Sequence, residues 1–287
     1  MRTVGMSRAS VQGRSKPGLT RGRKPDTLSP MWSDVVDLRD FYGHRTGRTA
    51  QRMVRARLRA LWPDVSGQRV LGLGFATPYL GVFRGEAERV LAAMPAGQGV
   101  LRWPVGERGL TMLCDENDLP LPDLSMDRVL IVHALECSES VRPFLREVWR
   151  VLADSGRMII VAPNRRGLWA RFESTPFGHG LPYSRAQLNR LLRDNMFMPM
   201  ETKRTLFVPP INNQLLMSSA PAWENVGSKL FPAAGGVIIT EAVKQMYAAT
   251  IAAEPKRKRI LSAMPERNRG LNRHPRQNAP LKIDQNR

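Results

Sequence analysis

The sequence predicts a doubly wound α/β domain with a mostly parallel sheet of seven strands, and three observations support this. Short continuous apolar runs recur along the chain, as expected of strands that are buried on both faces of a parallel sheet. Amphipathic segments with helical spacing alternate with these runs. A Gly-X-Gly turn ending at Gly74 follows the first run and precedes a helix, an arrangement that brings backbone N–H groups close to a ligand.

The chain of 287 residues is expected to hold one domain between two basic segments. Residues 1–30 contain seven Lys or Arg and one Asp, a net charge of +6, and residues 254–287 contain ten basic and three acidic residues, a net charge of +7. Both segments are poor in large apolar residues, so both are predicted to be disordered. Residues 31–253 are long enough for a single α/β domain.

The N-terminal segment permits two interpretations. It is rich in Arg and Ser and poor in acids, as mitochondrial transit peptides are, but we favour a translation start at Met31. No apolar run approaches the roughly 18 residues of a membrane span. Cys114 and Cys137 have no CxxC partner and no His cluster, so we expect two buried, reduced thiols in a cytoplasmic protein and no metal site.

The strands are predicted from the apolar runs. In chain order they cover residues 70–73, 88–93, 110–113, 127–132, 158–162, 205–208 and 237–242.

Four helices are predicted from apolar spacing and end signals. The first covers residues 45–62, with residues 41–44 as its lead-in, and the second opens at Pro78. The third covers residues 141–152 and is expected to end at the Asp154-Ser155-Gly156 stop signal. The fourth begins at Ser184, where Gln187 completes a capping box.

Several motifs in order resemble those of the class I S-adenosylmethionine-dependent methyltransferases of the type 11 kind. The resemblance covers about residues 40–245. Its matching positions are Asp115, Leu119-Pro120, residues 127–132, Glu147, Arg150-Val151-Leu152 and Gly156. It implies a Rossmann-like methyltransferase fold, S-adenosylmethionine as cofactor and transfer of a methyl group to an acceptor that the sequence does not identify.

The chain departs from the family at two places. The family's acid-x-Gly-x-Gly-x-Gly turn reads Gly72, Gly74, Ala76 and Pro78 here, so the acid and two glycines are replaced. The acid that accepts hydrogen bonds from the ribose at the end of the second strand is also missing, since residues 92–95 contain no carboxylate. Loss of a charged acceptor typically costs about 1.5–3 kcal/mol, enough to lower affinity at least tenfold.

The resemblance assigns the cofactor to residues at the ends of the first four strands. These are Gly72, Gly74, Phe75, Ala76, Met94, Asp115, Glu116 and His133. Asp115 and Glu116 stand where the family binds the adenine amino group, and His133 stands beside the methionine moiety. Asp115 could instead be a solvated loop or helix-cap acid, and Gly74 could be a simple tight turn.

Methyl transfer from a sulfonium is an in-line displacement that positioning and desolvation can accelerate without a catalytic residue. An alcohol, phenol or amine acceptor would benefit from a general base. The candidates are His133, at the end of the fourth strand, and His179 and Tyr183, after the fifth. Each has a structural alternative: the histidines as residues bonded to the backbone, and Tyr183 as a packing aromatic.

Two classes of function remain open. The first is a methyltransferase whose acceptor is selected by an insert at residues 209–232, which contains Asn212, Asn213 and Trp223. The second is a catalytically inactive scaffold or nucleic-acid-binding protein, which the eroded turn and the basic termini favour. Those termini predict at most weak, salt-sensitive contact with nucleic acid or an anionic surface. A nicotinamide-dependent oxidoreductase is disfavoured, because it too requires an acid after the second strand.

Overall fold

A computed structural model describes residues 32–211, 213 and 218–246, and the two predicted terminal segments lie outside this range. The described residues form a seven-stranded sheet in the order β3-β2-β1-β4-β5-β7-β6. Its strands are β1 (Arg69–Gly74), β2 (Arg89–Pro95), β3 (Thr111–Cys114), β4 (Met126–Val132), β5 (Leu152–Pro163), β6 (Phe197–Thr205) and β7 (Val237–Lys244). Only β7 is antiparallel to its neighbours, β5 and β6. The predicted fold class, a mostly parallel sheet of seven strands, is confirmed.

Helices cover both faces of the sheet. They are α1 (Val35–Gly43), α2 (Arg45–Leu61), α3 (Thr77–Leu80), α4 (Val141–Val151), α5 (Arg185–Asp194) and α6 (Ala220–Leu230), with 3-10 turns at Trp169–Arg171, Pro176–Gly178 and Pro232–Ala234. The predicted helix at residues 45–62 is confirmed as α2. The predicted capping box of α5 is confirmed as well, since Ser184 and Gln187 exchange both bonds.

The strands contribute side chains to two hydrophobic layers. Along β4, Leu130 and Val132 face the layer that contains α1, α2 and α3. Val129 and Ile131 face the opposite layer, which contains α4 and α5. This two-sided burial explains why the parallel strands appear in the sequence as continuous apolar runs.

The structure corrects three sequence-based predictions. The helix predicted to end at Asp154-Ser155-Gly156 ends at Val151, because Leu152 already pairs with Met126 of β4 and opens the twelve-residue strand β5. Strand pairing here overrides the local stop signal.

The strand predicted at residues 205–208 is misplaced, because β6 covers Phe197–Thr205. β6 pairs only with β7, and only its end residues Phe197 and Thr205 are buried, so it forms no continuous apolar run. The lead-in predicted at residues 41–44 is largely the end of a helix, α1, whose first turn is capped by Asp34.

Candidate functional site

The ends of four parallel strands meet at one edge of the sheet, where the predicted cofactor residues were expected. Gly72 pairs with Ala92 of β2 and with Leu130 of β4, so β1, β2 and β4 end at the same side, and β3 joins them through β2. Open α/β sheets bind ligands at this side. We call it the carboxyl edge.

Gly74 ends β1 in the left-handed region, with a φ of +79°. A Cβ at this position would lie 2.3 Å from the carbonyl oxygen of Val132 and 2.7 Å from the Cβ of Ala134. Glycine is therefore required for β1 to approach the loop after β4. This packing gives a physical reason for the tight turn, and a contact between Gly74 and the cofactor stays a prediction.

Gly72 occupies the position of the family's first acid, and its surroundings leave no space for a side chain. A Cβ there would lie 2.6 Å from Cδ1 of Leu80 and 2.8 Å from the Cβ of Ala76. Both neighbours are fully buried. An acidic side chain at this position would therefore not fit without displacing Leu80 and Ala76.

The loop after β2 contains a buried amide. Met94 is buried, and the loop that follows contains Gln98, which is also buried. Gln98 Nε2 donates to the carbonyl oxygen of His133 at 2.9 Å, whereas Gln98 Oε1 has no hydrogen-bond partner among the described residues. Trp32 packs over Gly97 of the same loop. Sequence reasoning missed Gln98, because it lies three residues beyond the strand.

The two acids predicted to bind adenine lie just after β3. Asp115 is exposed, and its Oδ1 accepts from the backbone N–H of Asn117 at 2.8 Å, which makes it a turn residue in this structure. Glu116 is half-buried. Burial, with smaller contributions from the charges of Glu116 and Asp115, raises the pKa of the neighbouring Cys114 thiol to about 12. Because Asp115 and Glu116 follow β3 directly and are exposed or half-buried, both acids lie at the surface of the carboxyl edge.

His133 follows β4 with a φ of +51°, a conformation that is unusual for a residue other than glycine. Its ring is buried, and Nε2 lies 2.8 Å from the hydroxyl of Tyr42, which in turn lies 2.8 Å from the hydroxyl of Tyr79. Nδ1 lies 3.5 Å from Oε1 of Glu136. The four side chains form a buried chain of polar groups that joins α1 to the sheet. Backbone strain of the kind shown by the positive φ of His133 concentrates at functional sites.

Burial keeps the phenol groups of Tyr42 and Tyr79, which belong to this row of polar side chains, in the protonated form. It is the main cause that raises the pKa of Tyr42 well above its usual value, with further contributions from Tyr79 and Glu136. Burial raises the pKa of Tyr79 as well. Both phenols thus keep their protons at neutral pH. The directions of the two hydrogen bonds at the Tyr42 hydroxyl depend on the tautomer of His133.

Glu136 is the least satisfied polar group at the carboxyl edge. Its side chain is 1 % exposed, and neither carboxylate oxygen has a hydrogen-bond partner among the described residues. Its backbone oxygen accepts from Leu181 at 2.8 Å, and Gly180 packs against it. Buried carboxylates are normally paired. Sequence reasoning missed Glu136, although an acid three residues after His133 in a loop beyond a strand was a usable signal.

Aromatic side chains cover the carboxyl edge. The ring of Tyr42 stacks on Phe75 with centroids 5.8 Å apart, and Phe177 lies 4.7 Å from the ring of His133. Beneath this cover Phe75 and Ala76 are buried, and so are Met94 and His133. The structure thus brings six of the predicted cofactor residues together under α1. These are Gly72, Gly74, Phe75, Ala76, Met94 and His133.

A cavity of about 730 Å³ lies between α1 and the loop at residues 173–180. Its wall includes Trp32 and Phe41, the carboxylates of Asp37 and Glu173, and the exposed ring of His179. No Lys or Arg is among the described residues that line it. A strongly basic chain therefore has a cavity with an acidic and aromatic wall.

The three candidate bases occupy different environments. His179 lines the cavity, whereas His133 is enclosed in the polar chain beneath α1. Tyr183 is half-buried, and its hydroxyl donates to the carbonyl oxygen of Leu135 at 3.5 Å. Burial, more than the charges of Glu136 and Cys137, raises the pKa of Tyr183 to about 12, so the phenol stays protonated at neutral pH.

The described residues contain no group of His, Cys, Asp or Glu side chains that could hold a metal ion. Among the described helices, none is long and apolar enough to cross a membrane. Cys114 and Cys137 are both buried free thiols, as predicted.

Residues 77–160 match the model of a family described as a methyltransferase domain. The match begins at α3 and ends within β5, so it includes Met94, Asp115, Glu116 and His133. No curated protein matches the chain.

Solved structures share the fold at low sequence identity. A Thermotoga maritima methyltransferase described as a possible histamine N-methyltransferase is 17 % identical with a TM-score of 0.51, and the match covers 74 % of this chain and 96 % of that one. An Archaeoglobus fulgidus S-adenosylmethionine-dependent methyltransferase is 18 % identical with a TM-score of 0.51, covering 73 % and 98 %. A Haloferax volcanii protein in complex with the Trm112 methyltransferase activator is 18 % identical with a TM-score of 0.53, covering 74 % and 100 %. The predicted resemblance to class I methyltransferases is confirmed.

Proposed function

We propose that this protein is an S-adenosylmethionine-dependent methyltransferase that binds its cofactor at the carboxyl edge and its acceptor in the neighbouring cavity. The observation that carries the proposal is the methyltransferase-domain match at residues 77–160, which includes the loops after β2, β3 and β4. Those loops hold Asp115, Glu116 and His133, three of the eight residues to which the resemblance assigns the cofactor.

The unpaired polar atoms of the carboxyl edge fit such a cofactor. Gln98 Oε1 and both carboxylate oxygens of Glu136 are buried and accept no hydrogen bond among the described residues, and Glu136 Oε1 lies 3.5 Å from His133 Nδ1. The cofactor has donors of the matching kind, namely two ribose hydroxyls and an ammonium group. Gln98 would then supply a neutral acceptor near the end of β2, and Asp115 would face the adenine amino group.

When bound, the cofactor supplies a methyl group on a positively charged sulfur. The protein's contribution is to orient the acceptor in the cavity and to exclude water around it. His179 is the better-placed base of the three candidates, because it lines the cavity. His133, within the buried polar chain, would hold the loop after β4 in position.

The cavity wall favours an acceptor that is neutral or positively charged. Asp37 and Glu173 line the cavity with no ion-pair partner among the described residues, beside the aromatic rings of Trp32 and Phe41. An anionic acceptor would be repelled there, whereas an amine gains both charge and ring contacts.

We place the protein in the cytoplasm, since its two cysteines are unpaired thiols.

Binding requires α1 to move, because Tyr42 and Phe177 cover the edge. The test is calorimetric titration of the full chain with S-adenosylhomocysteine. We expect saturable binding that is weakened at least tenfold by Glu136→Gln and by Asp115→Ala. The exposed Asp118→Ala variant is the matched control and should bind as the unsubstituted protein does. Absence of heat and of thermal stabilisation at millimolar ligand would refute the proposal.

The second candidate function is a catalytically inactive scaffold, and the filled carboxyl edge favours it. Tyr42 and Phe75 occupy this edge with the protein's own rings, and Gly72 has no room for the family's acid. Such a protein would show no cofactor binding and could contact nucleic acid weakly through its basic terminal segments. This alternative would be supported if the protein bound no detectable S-adenosylhomocysteine but did bind duplex DNA. The affinity for DNA should then fall steeply with added salt.

A further inference from the structure

Helix α6 exposes its large apolar side chains to solvent, whereas a helix of a globular domain normally packs them on the core. Trp223, Val226 and Leu230 recur at i, i+3 and i+7, so they form one stripe. They are 41 %, 52 % and 66 % exposed, and Phe231, directly after the helix, is 65 % exposed. The face that packs on the protein presents Ala220, Glu224 and Gly227 instead.

The orientation of α6 is fixed by that small and polar face. Glu224 accepts from the Thr205 hydroxyl and from the backbone N–H of Phe207, both at 2.9 Å, and lies 3.5 Å from Arg57. A Cβ on Gly227 would lie 2.6 Å from the Cβ of Phe207, so a larger residue would push the helix away. Rotating the apolar stripe inward would therefore break three polar contacts of a buried carboxylate.

Basic side chains without acidic partners lie on α6 and near its carboxyl-terminal end. Lys229 is exposed on α6 itself, and Arg204 donates to the carbonyl oxygen of Pro232, just after Phe231. Arg185 and Arg166 are close enough to Arg204 that their charges lower its pKa, after the larger effect of burial. None of these four has an ion pair within the part of the chain that the structure describes.

We propose that α6 and Phe231 dock on an anionic lipid surface, with the apolar stripe entering the interface and the surrounding Arg and Lys side chains contacting the headgroups. An exposed apolar patch rimmed by charge marks an interaction surface. A short helix that joins a Trp-containing apolar face to cations is suited to a membrane interface. The positive charge of the whole chain, +19, complements an anionic surface and opposes contact between two copies. This inference does not rest on the methyltransferase proposal.

Docking through α6 would also orient the carboxyl edge. β6 is parallel to β1 and its neighbours, because both β6 and β5 are antiparallel to β7. The segment that follows β6 and contains α6 therefore starts at the carboxyl edge. A surface-bound molecule would hold the ligand-binding end of its sheet close to the lipid.

The test is cosedimentation of the full chain with vesicles of phosphatidylcholine alone and of phosphatidylcholine mixed with phosphatidylserine. We expect binding to the mixed vesicles only. The double variant L230E/F231E should lower the partition coefficient at least tenfold, and Arg166→Glu should lower it by about fivefold or more. Val105→Glu is the matched control, since Val105 is 89 % exposed and belongs to another surface.

Three results would overturn the proposal. The first is that the unsubstituted chain binds neither kind of vesicle. The second is that L230E/F231E binds as well as V105E, which would assign the contact to the basic terminal segments. The third is that sedimentation shows self-association abolished by L230E/F231E without vesicle binding, which would make this face a contact between copies. Thermal unfolding of each variant checks that the fold is kept, and all substituted side chains are exposed.

Discussion

Restoring the family's acid at Gly72 should destabilise this protein rather than improve its cofactor site. A side chain at this position meets Leu80 and Ala76 within 2.8 Å, and overpacking of this kind costs about 1–3 kcal/mol. In Gly72→Asp the new carboxyl group is also buried among apolar side chains, so it has to stay protonated. At pH 7 that costs about 4 kcal/mol, because the ordinary pKa of Asp is about 3.9 and one pH unit is about 1.4 kcal/mol. The total, about 5–7 kcal/mol, approaches the whole stability of a typical domain.

Urea unfolding of Gly72→Asp and Gly72→Ala separates the two costs. Both variants carry the steric cost, and only Gly72→Asp carries the charge cost. The folded pKa of the new carboxyl is raised, so its penalty grows above the unfolded pKa and shrinks as the pH falls. The difference between the variants should therefore decrease from about 4 kcal/mol at pH 7 to about 1.5 kcal/mol at pH 5. Equal stability of the two variants at pH 7, or tighter binding of S-adenosylhomocysteine by Gly72→Asp, would show that the space around Gly72 adapts and would refute this reasoning.

Three further perturbations test other contacts. Tyr42→Phe removes the hydrogen-bond partner of His133 Nε2, and calorimetric or urea unfolding should report a loss of about 1–3 kcal/mol; an unchanged stability would mean that water replaces the hydroxyl. Arg150→Met should destabilise by about 1–3 kcal/mol at neutral pH, because Arg150 lowers the pKa of Glu147. The part of the deficit that comes from Glu147 is present above its unfolded pKa and is lost as the pH falls, whereas the bonds from Arg150 to the carbonyl oxygens of Leu119 and Leu121 remain, so a deficit as large at pH 3 as at pH 7 would contradict the reasoning. Cys114, with its pKa of about 12, should resist iodoacetamide at pH 8 in the folded protein and react once urea unfolds it, as measured by intact mass.

The elements that the sequence predicted well are those whose signals are local. α2 shows helical spacing over seventeen residues, and the Ser184 cap of α5 needs only Gln187 three residues later. β6 was misplaced because it lies at the sheet edge with a single partner, so burial left no continuous apolar run. α1 was missed although Val35, Leu38 and Tyr42 keep helical spacing, since the polar residues between them obscured the pattern.

The candidate site was predictable only where residues follow strands directly. His133 and Asp115 were found because each stands just after a strand that an apolar run predicts. Gln98 and Tyr42 could not be found in that way, because both reach the site through long-range packing. Gln98 lies 35 residues before its partner His133 in the sequence, and Tyr42 lies 91 residues before it. The absence of space at Gly72 is likewise a property of the packed structure, since it depends on where Leu80 lies.

The position of β7 between β5 and β6 has a consequence for synthesis of the chain. β7 is the last described strand, yet it supplies the only neighbour of β6 and the outer neighbour of β5. While a ribosome is still making residues 206–236, β6 has no partner and β5 presents an open edge of unpaired amides. The nascent domain therefore cannot close its sheet before residue 244 leaves the exit tunnel. A stalled or truncated product that lacks β7 should pair through this edge with other chains and become a substrate of chaperones.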